Sequence, residues 1–518
     1  MTKTKTILIL LFVIAFGLFL RAYNINHVPP GVYPDEAVNG IDALTAVKTG
    51  NFQWFYPANN GREGLFVNII AVCFKFLGVS VFTLKLTSII FGTLAIWGLY
   101  LLGTELFENK RLGLISAFLL ATSFWSINFS RIAFRAIMLP TVLIFSFYFL
   151  FRGLRTKKWY DFAIGGFIFG LGLHTYIAFR IAPVILVIMF FILLLTREKF
   201  LRQFWKSIIV FILFTALSAA PMLYTFFVSH PEYWQSRTSE ISILNPEVNH
   251  GHLFMTFLKT FGLSLAKYNF WGDQNWRQNF PPYAILDPLT GIAFLFGLIY
   301  SIGKFFQLLI IRFKRKIRHQ RLEAYTFLLS TFFIMLVPEF LAAEGNPHAL
   351  RSIGTMPAVF IFSALTFNFF FESAKKHSYI FQKVTAFLII LMFLSIGVFN
   401  TLEYHVVWAK RPETAHAFDK NLTEISTYLK TSPSNQEKFI ITGNMGRIPI
   451  KLFSQSLLNL HYVYPGQSQY ISPQKHNHFI IIMTDYNKSI ISQLKKKFPA
   501  LKLTEKKDKS GMSFWILK

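Results

Sequence analysis

Cysteine is nearly absent from this chain: Cys73 stands alone among 518 residues. An intrachain disulfide and a cysteine-based metal centre are therefore both excluded. Acid is scarce too, with 25 Asp and Glu against 52 Lys and Arg and a formal net charge of +27. There is no low-complexity segment, and no internal repeat of the kind that marks a transporter built from two related halves. Apolar residues make up 53% of the chain and aromatics 18%. They gather into runs of about 17–25 residues, each long enough to cross a bilayer as a helix. The basic residues fall in short clusters between these runs, as cytoplasmic loops do, so the positive charge implies no nucleic-acid partner. The composition defines a polytopic α-helical membrane protein in contact with membrane lipids.

Lys3 and Lys5 precede the first run and place the N-terminus inside; no small-residue cleavage site follows Leu20, so that run is expected to remain as a span. The spans expected after Ile7–Tyr23 are Phe82–Gly103, Leu112–Ile127, Leu139–Phe151, Phe162–Leu173, Ile181–Leu195, Ile208–Val228, Leu289–Ile311, Tyr325–Leu341, Gly354–Phe371 and Ile380–Phe399. Gly64–Gly78 is also apolar, but it is short and contains Lys75. With this segment lying on the outer interface, eleven spans put every basic cluster inside, including the densest, Arg312 to Arg321. If it crossed, every later cluster would move outside and the positive-inside rule would fail throughout. The expected division is a membrane domain, 1–402, with a first outer loop at 24–81 and a long outer loop at 230–288, followed by an extracytoplasmic α/β domain at 403–518. That last part carries short apolar runs of strand character, Phe439–Thr442, Phe479–Thr484 and Phe514–Leu517, between polar helix-like stretches.

The first outer loop opens with Pro29-Pro30-Gly31-Val32-Tyr33-Pro34-Asp35-Glu36. A helical pattern, Ala37 to Val47, follows, so Asp35 and Glu36 would face the unpaired N–H groups of a helix start. They read either as a surface cap or as catalytic carboxylates at the membrane boundary. The same topology collects Arg62, Arg131, Arg135, His174, Tyr176, Arg180, Glu339, Glu344, His348 and Arg351 at outer span ends, with Asp273 and Asp287 in the long loop. Arginines beside outer span ends are unusual. Arg131 and Arg135, four apart, would share a helical face suited to bidentate phosphate binding, or would snorkel to headgroups. His348 and Arg351, three apart, would likewise share a face after the helix-breaking Gly345-Asn346-Pro347. His174 is either a structural histidine or, with Tyr176 and Arg180 in a break between spans, part of a cavity lining. Glu339, beside Pro338, is either functional or the partner of an arginine. Such a set suits a lipid-linked phosphate whose tail stays in the bilayer.

On these residues the chain resembles the GT-C glycosyltransferases of the protein O-mannosyltransferase and aminoarabinose transferase kind (glycosyltransferase family 39). The likeness rests on Asp35-Glu36, NNGREGLF (Asn59–Phe66), SRIAFR (Ser130–Arg135), HTYIAFR (His174–Arg180) and PHALRSIGTMP (Pro347–Pro357), and it spans about residues 5–400. The resemblance implies an inverting transfer of one sugar from a polyprenyl-phosphate donor to a hydroxyl of a protein, lipid or glycan acceptor. The protein would be multi-pass in the plasma (inner) membrane, with its active site and C-terminal domain outside. Asp35 matches the family's general base, and Glu36 is its partner. Arg62, Arg131, Arg135, His348 and Arg351 are the donor-phosphate candidates; His174, Tyr176, Arg180, Glu339 and Glu344 are those for the sugar or acceptor pocket. Where the aminoarabinose transferases carry a lysine in the first outer loop, this region offers Arg62. No cofactor is required; a divalent cation fits between carboxylate and phosphate, although no ligand spacing demands one. The rival readings are an oligosaccharide polymerase or ligase with a lipid-linked donor, a lipid or sugar transporter, and a structural membrane protein.

Overall fold

The computed structural model describes residues 2–58, 61–234, 241–315, 317, 319, 321–474, 478–508 and 510–518. Asn59 and Asn60 of the NNGREGLF run, and Lys316 and Arg318 of the densest basic cluster, lie outside the described residues. The chain forms two compact units: Met1–Tyr23, Gln53–Phe66 and Thr87–Tyr404 make the first, and Asn24–Phe52, Val67–Leu86 and His405–Lys518 the second.

The first unit is a helical membrane body. Among the described residues nine helical segments are long and apolar enough to cross a bilayer, and a tenth is a bent pair. They begin with α1 (Lys3–Ala22) and α4 (Val81–Phe107); α2 (Pro34–Thr49) and α3 (Gly64–Leu77) lie between. The bent pair is α5 (Lys110–Thr122) and α6 (Phe124–Ser130), which meet at 62°. Next come α7 (Met138–Thr156), α8 (Trp159–Leu171), α9 (Pro183–Thr196), α10 (Phe200–Tyr224), α11 (Leu253–Ala266), α12 (Pro288–Arg315), α13 (Arg321–Phe340), α14 (Met356–Ala374) and α15 (Tyr379–Leu402). The eleventh expected span falls on α8, whose 13 residues run into a 3₁₀ turn, Gly172–His174. Alone it is shorter than a full crossing. The juxtamembrane Gly64–Gly78 segment is α3, with 14 residues.

The α5–α6 bend has a cause on each side. Breaking a helix orphans carbonyls before the break and N–H groups after it. Arg21, on α1, donates to the α5 carbonyls of Leu120 (3.3 Å) and Ala121 (3.0 Å), and Asn400 Oδ1 accepts the Phe124 N–H at 3.0 Å. Arg21 is fully buried and also donates to Ser126 Oγ (2.7 Å) and Ser130 Oγ (3.1 Å). A guanidinium at a helix C-terminus is favoured by the dipole there.

The second unit is built on a five-stranded mixed sheet of order β4-β3-β5-β7-β6, with β3 Glu437–Ile441, β4 Leu460–Val463, β5 Phe479–Met483, β6 Leu503–Lys507 and β7 Ser513–Leu517. β3 pairs in parallel with β4 and β5, and β7 pairs antiparallel with β5 and β6. Period-2 alternation gives the sheet two apolar faces. Phe439, Ile441, Ile481 and Met483 pack under α18 (Lys488–Lys497). Ile440, Ile480, Ile482 and Ile516 pack under α16 (Lys420–Thr431) and α17 (Asn444–Phe453). The sequence-based division assigned the whole first outer loop to the membrane domain, but two of its segments fold with this sheet domain. α2 docks on α17 because Gly40 is bare: a Cβ there would lie 2.6 Å from Leu452 Cδ2. Upstream, a Cβ on Gly31 would lie 2.3 Å from the Phe418 carbonyl oxygen, and the Val32 N–H donates to Thr423 Oγ1 at 3.2 Å.

Candidate active site

In the second unit the acidic pair opens α2. Tyr33 is extended and precedes Pro34 at the first helical position, which places Asp35 and Glu36 in the first turn. Carboxylates are stabilised there by the helix dipole. Their environments differ. Glu36 is fully buried with Lys85, whose Nζ lies 3.8 Å from Glu36 Oε2 and 3.4 Å from the Gly31 carbonyl it donates to. Asp35 is partly exposed. Glu36 is thus held within the fold, and Asp35 keeps a solvent-facing side. Lys85 was missed in the sequence reading, where it sat inside the expected span Phe82–Gly103; an ionisable residue in an apolar run is itself the signal that finds it.

The arginines belong to the first unit. α6 ends at Ser130, Arg131 caps it, and Arg135 opens a separate 3₁₀ turn. The expected common helical face of Arg131 and Arg135 is therefore absent. Arg131 is fully buried and grips the end of α1, donating to the carbonyls of Leu20 (2.8 Å), Arg21 (2.8 Å) and Tyr23 (2.7 Å). Arg21 and Arg131 thereby tie α1 to α5–α6 reciprocally, which accounts for an arginine at this span end. Arg135 forms a buried ion pair with Glu63, beside the Tyr176 ring. Arg62 is buried next to Glu63 on β2 (Arg62–Glu63), which pairs with β1 (Phe55–Tyr56), and its Nε donates to the Ala58 carbonyl at 3.1 Å.

His174 Nε2 lies 2.8 Å from the Ser218 carbonyl oxygen, and the Trp54 ring stands edge-on to the imidazole. This is the structural histidine among the two readings open from sequence. Tyr176 is buried against Phe134 and Arg135. Arg180 makes cation–π contacts with two adjoining rings, Phe226 (4.5 Å) and Trp234 (4.4 Å). The break between α8 and α9 is two short 3₁₀ turns, as the sequence led one to expect.

The PHALRSIG segment is a run of turns, so the expected helical face of His348 and Arg351 does not exist either. Acceptors collect its backbone donors one after another. Glu339 Oε1 takes the His348 N–H (2.9 Å), Asp273 Oδ2 the Ala349 N–H (2.7 Å) and Gln278 Oε1 the Leu350 N–H (3.3 Å). His348 Nδ1 then stands 4.0 Å from Asp273 Oδ2, while Arg351 pairs with Glu344 near the surface. Glu339 forms a fully buried ion pair with Lys267, not with an arginine. Lys267 was absent from the sequence-based set because it lies in the long loop, away from any motif.

Burial pushes Asp273 up to about 7, against the N–H donors of Asn275 and Ala349, which pull it down. Its folded value lies above its unfolded one, so its contribution to stability is complete in acid and is lost as pH rises through about 7. The unfolding midpoint of the purified protein, followed from pH 5 to 8.5, is expected to fall more steeply for wild type than for Asp273→Asn. Parallel profiles would contradict this. Among the described residues no three His, Cys, Asp or Glu side chains group as metal ligands.

By the length and composition of its helices the protein is a multi-span membrane protein, and its fold is similar to that of GT-C glycosyltransferases. The profile of the dolichyl-phosphate-mannose-protein mannosyltransferase family matches residues 65–224. ArnT from Cupriavidus metallidurans, solved bound to undecaprenyl phosphate, superposes with a TM-score of 0.54 at 11% identity over 100% of this chain and 98% of its own. The archaeal oligosaccharyltransferase AglB from Archaeoglobus fulgidus, solved with an inhibitory peptide and a dolichol-phosphate, gives 0.54 at 15% identity over 93% of this chain and 69% of its own. No curated protein matches the sequence.

Proposed function

We propose that this protein transfers a single sugar, with inversion, from a polyprenyl-phosphate donor to an acceptor hydroxyl on a protein, lipid or glycan, at the outer face of the plasma (inner) membrane. The observation that carries the reading is the first turn of α2, where Asp35 stays accessible while Glu36 is locked onto Lys85. The fold shared with two glycosyltransferases solved with polyprenyl phosphates supports the donor class.

An acceptor hydroxyl is a poor nucleophile, and a carboxylate within hydrogen-bond reach takes its proton as it attacks the anomeric carbon. Asp35 has that role; Glu36 and Lys85 fix the turn that presents it. The leaving phosphate passes from a diester with one charge toward a monoester with nearly two, the second pKa being about 6. It needs fixed positive charge more than an acid. Arginine suits this because it stays charged and grips phosphate in two places. Arg62, Arg135 and Arg351, with His348, remain the candidates, whereas Arg131 is committed to α1. Tyr176 and Arg180, with Glu344, are assigned to the sugar or acceptor pocket; Glu339 shapes the His348 turn. The reaction needs no cofactor.

Loss of the gene is expected to make one polyprenyl-phosphate sugar accumulate and one sugar disappear from an envelope glycan, both read by mass spectrometry. An unchanged lipid-linked sugar profile would count against the reading. Accumulation of a polyprenyl-linked oligosaccharide instead would favour the polymerase or ligase.

A further inference from the structure

Five helix ends of the membrane unit meet around one cavity of about 820 Å³: the ends of α4, α7 and α9 and the starts of α10 and α13. The alternation of spans assigns all five to the cytosolic side, and their convergence agrees with it. Two charged forks build the walls. Arg155 pairs with Glu105 (Nη2–Oε2 2.9 Å), and Arg197 with Glu323 (2.9 and 2.8 Å). Glu108, Lys157 and Arg321 line the same cavity and make no ion pair among the described residues. The lining is balanced, with four glutamates and four Lys or Arg side chains.

A second cavity, about 330 Å³ and walled by apolar side chains of α7, α8, α9 and α10, shares Leu154 and Phe204 with the first. A polar chamber at the ends of the spans thus adjoins an apolar slot within them. Small-molecule sites combine those two features, an apolar body with a few placed polar groups.

We propose that the two cavities hold one phospholipid of the inner leaflet with a zwitterionic, primary-amine headgroup. The phosphate lies against Lys157 and Arg321, the ammonium donates to Glu108, and one acyl chain enters the slot beyond Leu154 and Phe204. Charge balance favours a zwitterion over a polyanion. Carboxylates only accept hydrogen bonds, so an N–H-bearing ammonium is preferred to a quaternary one.

The test uses the full-length protein, delipidated in detergent and titrated with dioleoyl phosphatidylethanolamine, phosphatidylcholine and phosphatidylglycerol, with bound lipid counted by native mass spectrometry. One phosphatidylethanolamine is expected to bind about tenfold more tightly than either other lipid. Glu108→Ala is expected to remove that preference and Lys157→Ala combined with Arg321→Ala to weaken binding of all three lipids, all at exposed positions, while Lys206→Ala, outside the cavity, changes neither. Equal binding of the three lipids, a preference unchanged in Glu108→Ala, or affinities unchanged in the double variant, overturns the proposal. So does displacement of the lipid by polyprenyl phosphate, which would make this a donor site.

Discussion

Asp35→Asn is expected to lower the turnover of sugar transfer by about 10²–10⁴-fold, the range that removal of a general base produces. Asparagine keeps the shape and helix position of the side chain but cannot take the acceptor's proton. The proposed mechanism assigns donor binding to cations elsewhere in the chain, so KM for the polyprenyl-phosphate sugar should change little while kcat collapses. Folding should survive, since the buried partner at this turn is Glu36, held by Lys85 at 3.8 Å. The measurement is steady-state transfer by the purified variant, with its melting temperature as the control. Near-normal turnover would remove Asp35 from the chemistry and favour a ligase or polymerase, which needs no carboxylate at this place. Glu36→Gln should behave in the opposite way, lowering the melting temperature by removing one charge of the buried Glu36–Lys85 pair.

The second large effect belongs to Lys267. Lys267→Met leaves Glu339 in a fully buried place without its cation. Breaking such a pair from one side costs about 3–5 kcal/mol, whereas replacing both partners with apolar residues is often close to neutral. The double variant Lys267→Met, Glu339→Leu is therefore expected to be more stable than Lys267→Met alone. It should not regain the wild-type value, because the His348 N–H that Glu339 accepts at 2.9 Å loses its partner, at about 1–3 kcal/mol. Chemical or thermal denaturation of the three variants checks the order. If both single and double variants matched wild type, Glu339 and Lys267 would not be a coupled buried pair.

The membrane architecture was legible because it is written in long-range averages. Apolar length and the side on which Lys and Arg fall are summed over many residues, so a single odd residue does not spoil them. Side-chain partnership is different in kind. Arg131 and Arg135 looked like a pair only if the chain stayed helical between them, but the helix ends at Ser130 and the Arg131 guanidinium turns to the carbonyls of Leu20, Arg21 and Tyr23. His348 and Arg351 failed the same assumption, their backbone being held in turns by Asp273, Glu339 and Gln278. Lys267 escaped notice because its burial depends on Glu339, far off in sequence, whereas Lys85 carried a signal of its own, an ionisable residue in an apolar run. In the sheet domain the inner strands β3, β5 and β7 were visible as apolar runs. The two edge strands were not: β6 reads Leu503-Thr504-Glu505-Lys506-Lys507, the charged composition that keeps a sheet edge from pairing with other chains.

The reciprocal arginine tie has a consequence for how the protein is made. The α1 carbonyls that Arg131 holds are separated from it by 108 to 111 residues. When the first segment leaves the ribosome, its C-terminal end lacks these bonds, and it gains them only after two further spans, α4 and α5–α6, have been synthesised. Assembly of the bundle must therefore close backwards, with a late arrival fastening the earliest helix. A translation arrest placed before residue 120 would leave that helix without either half of the tie.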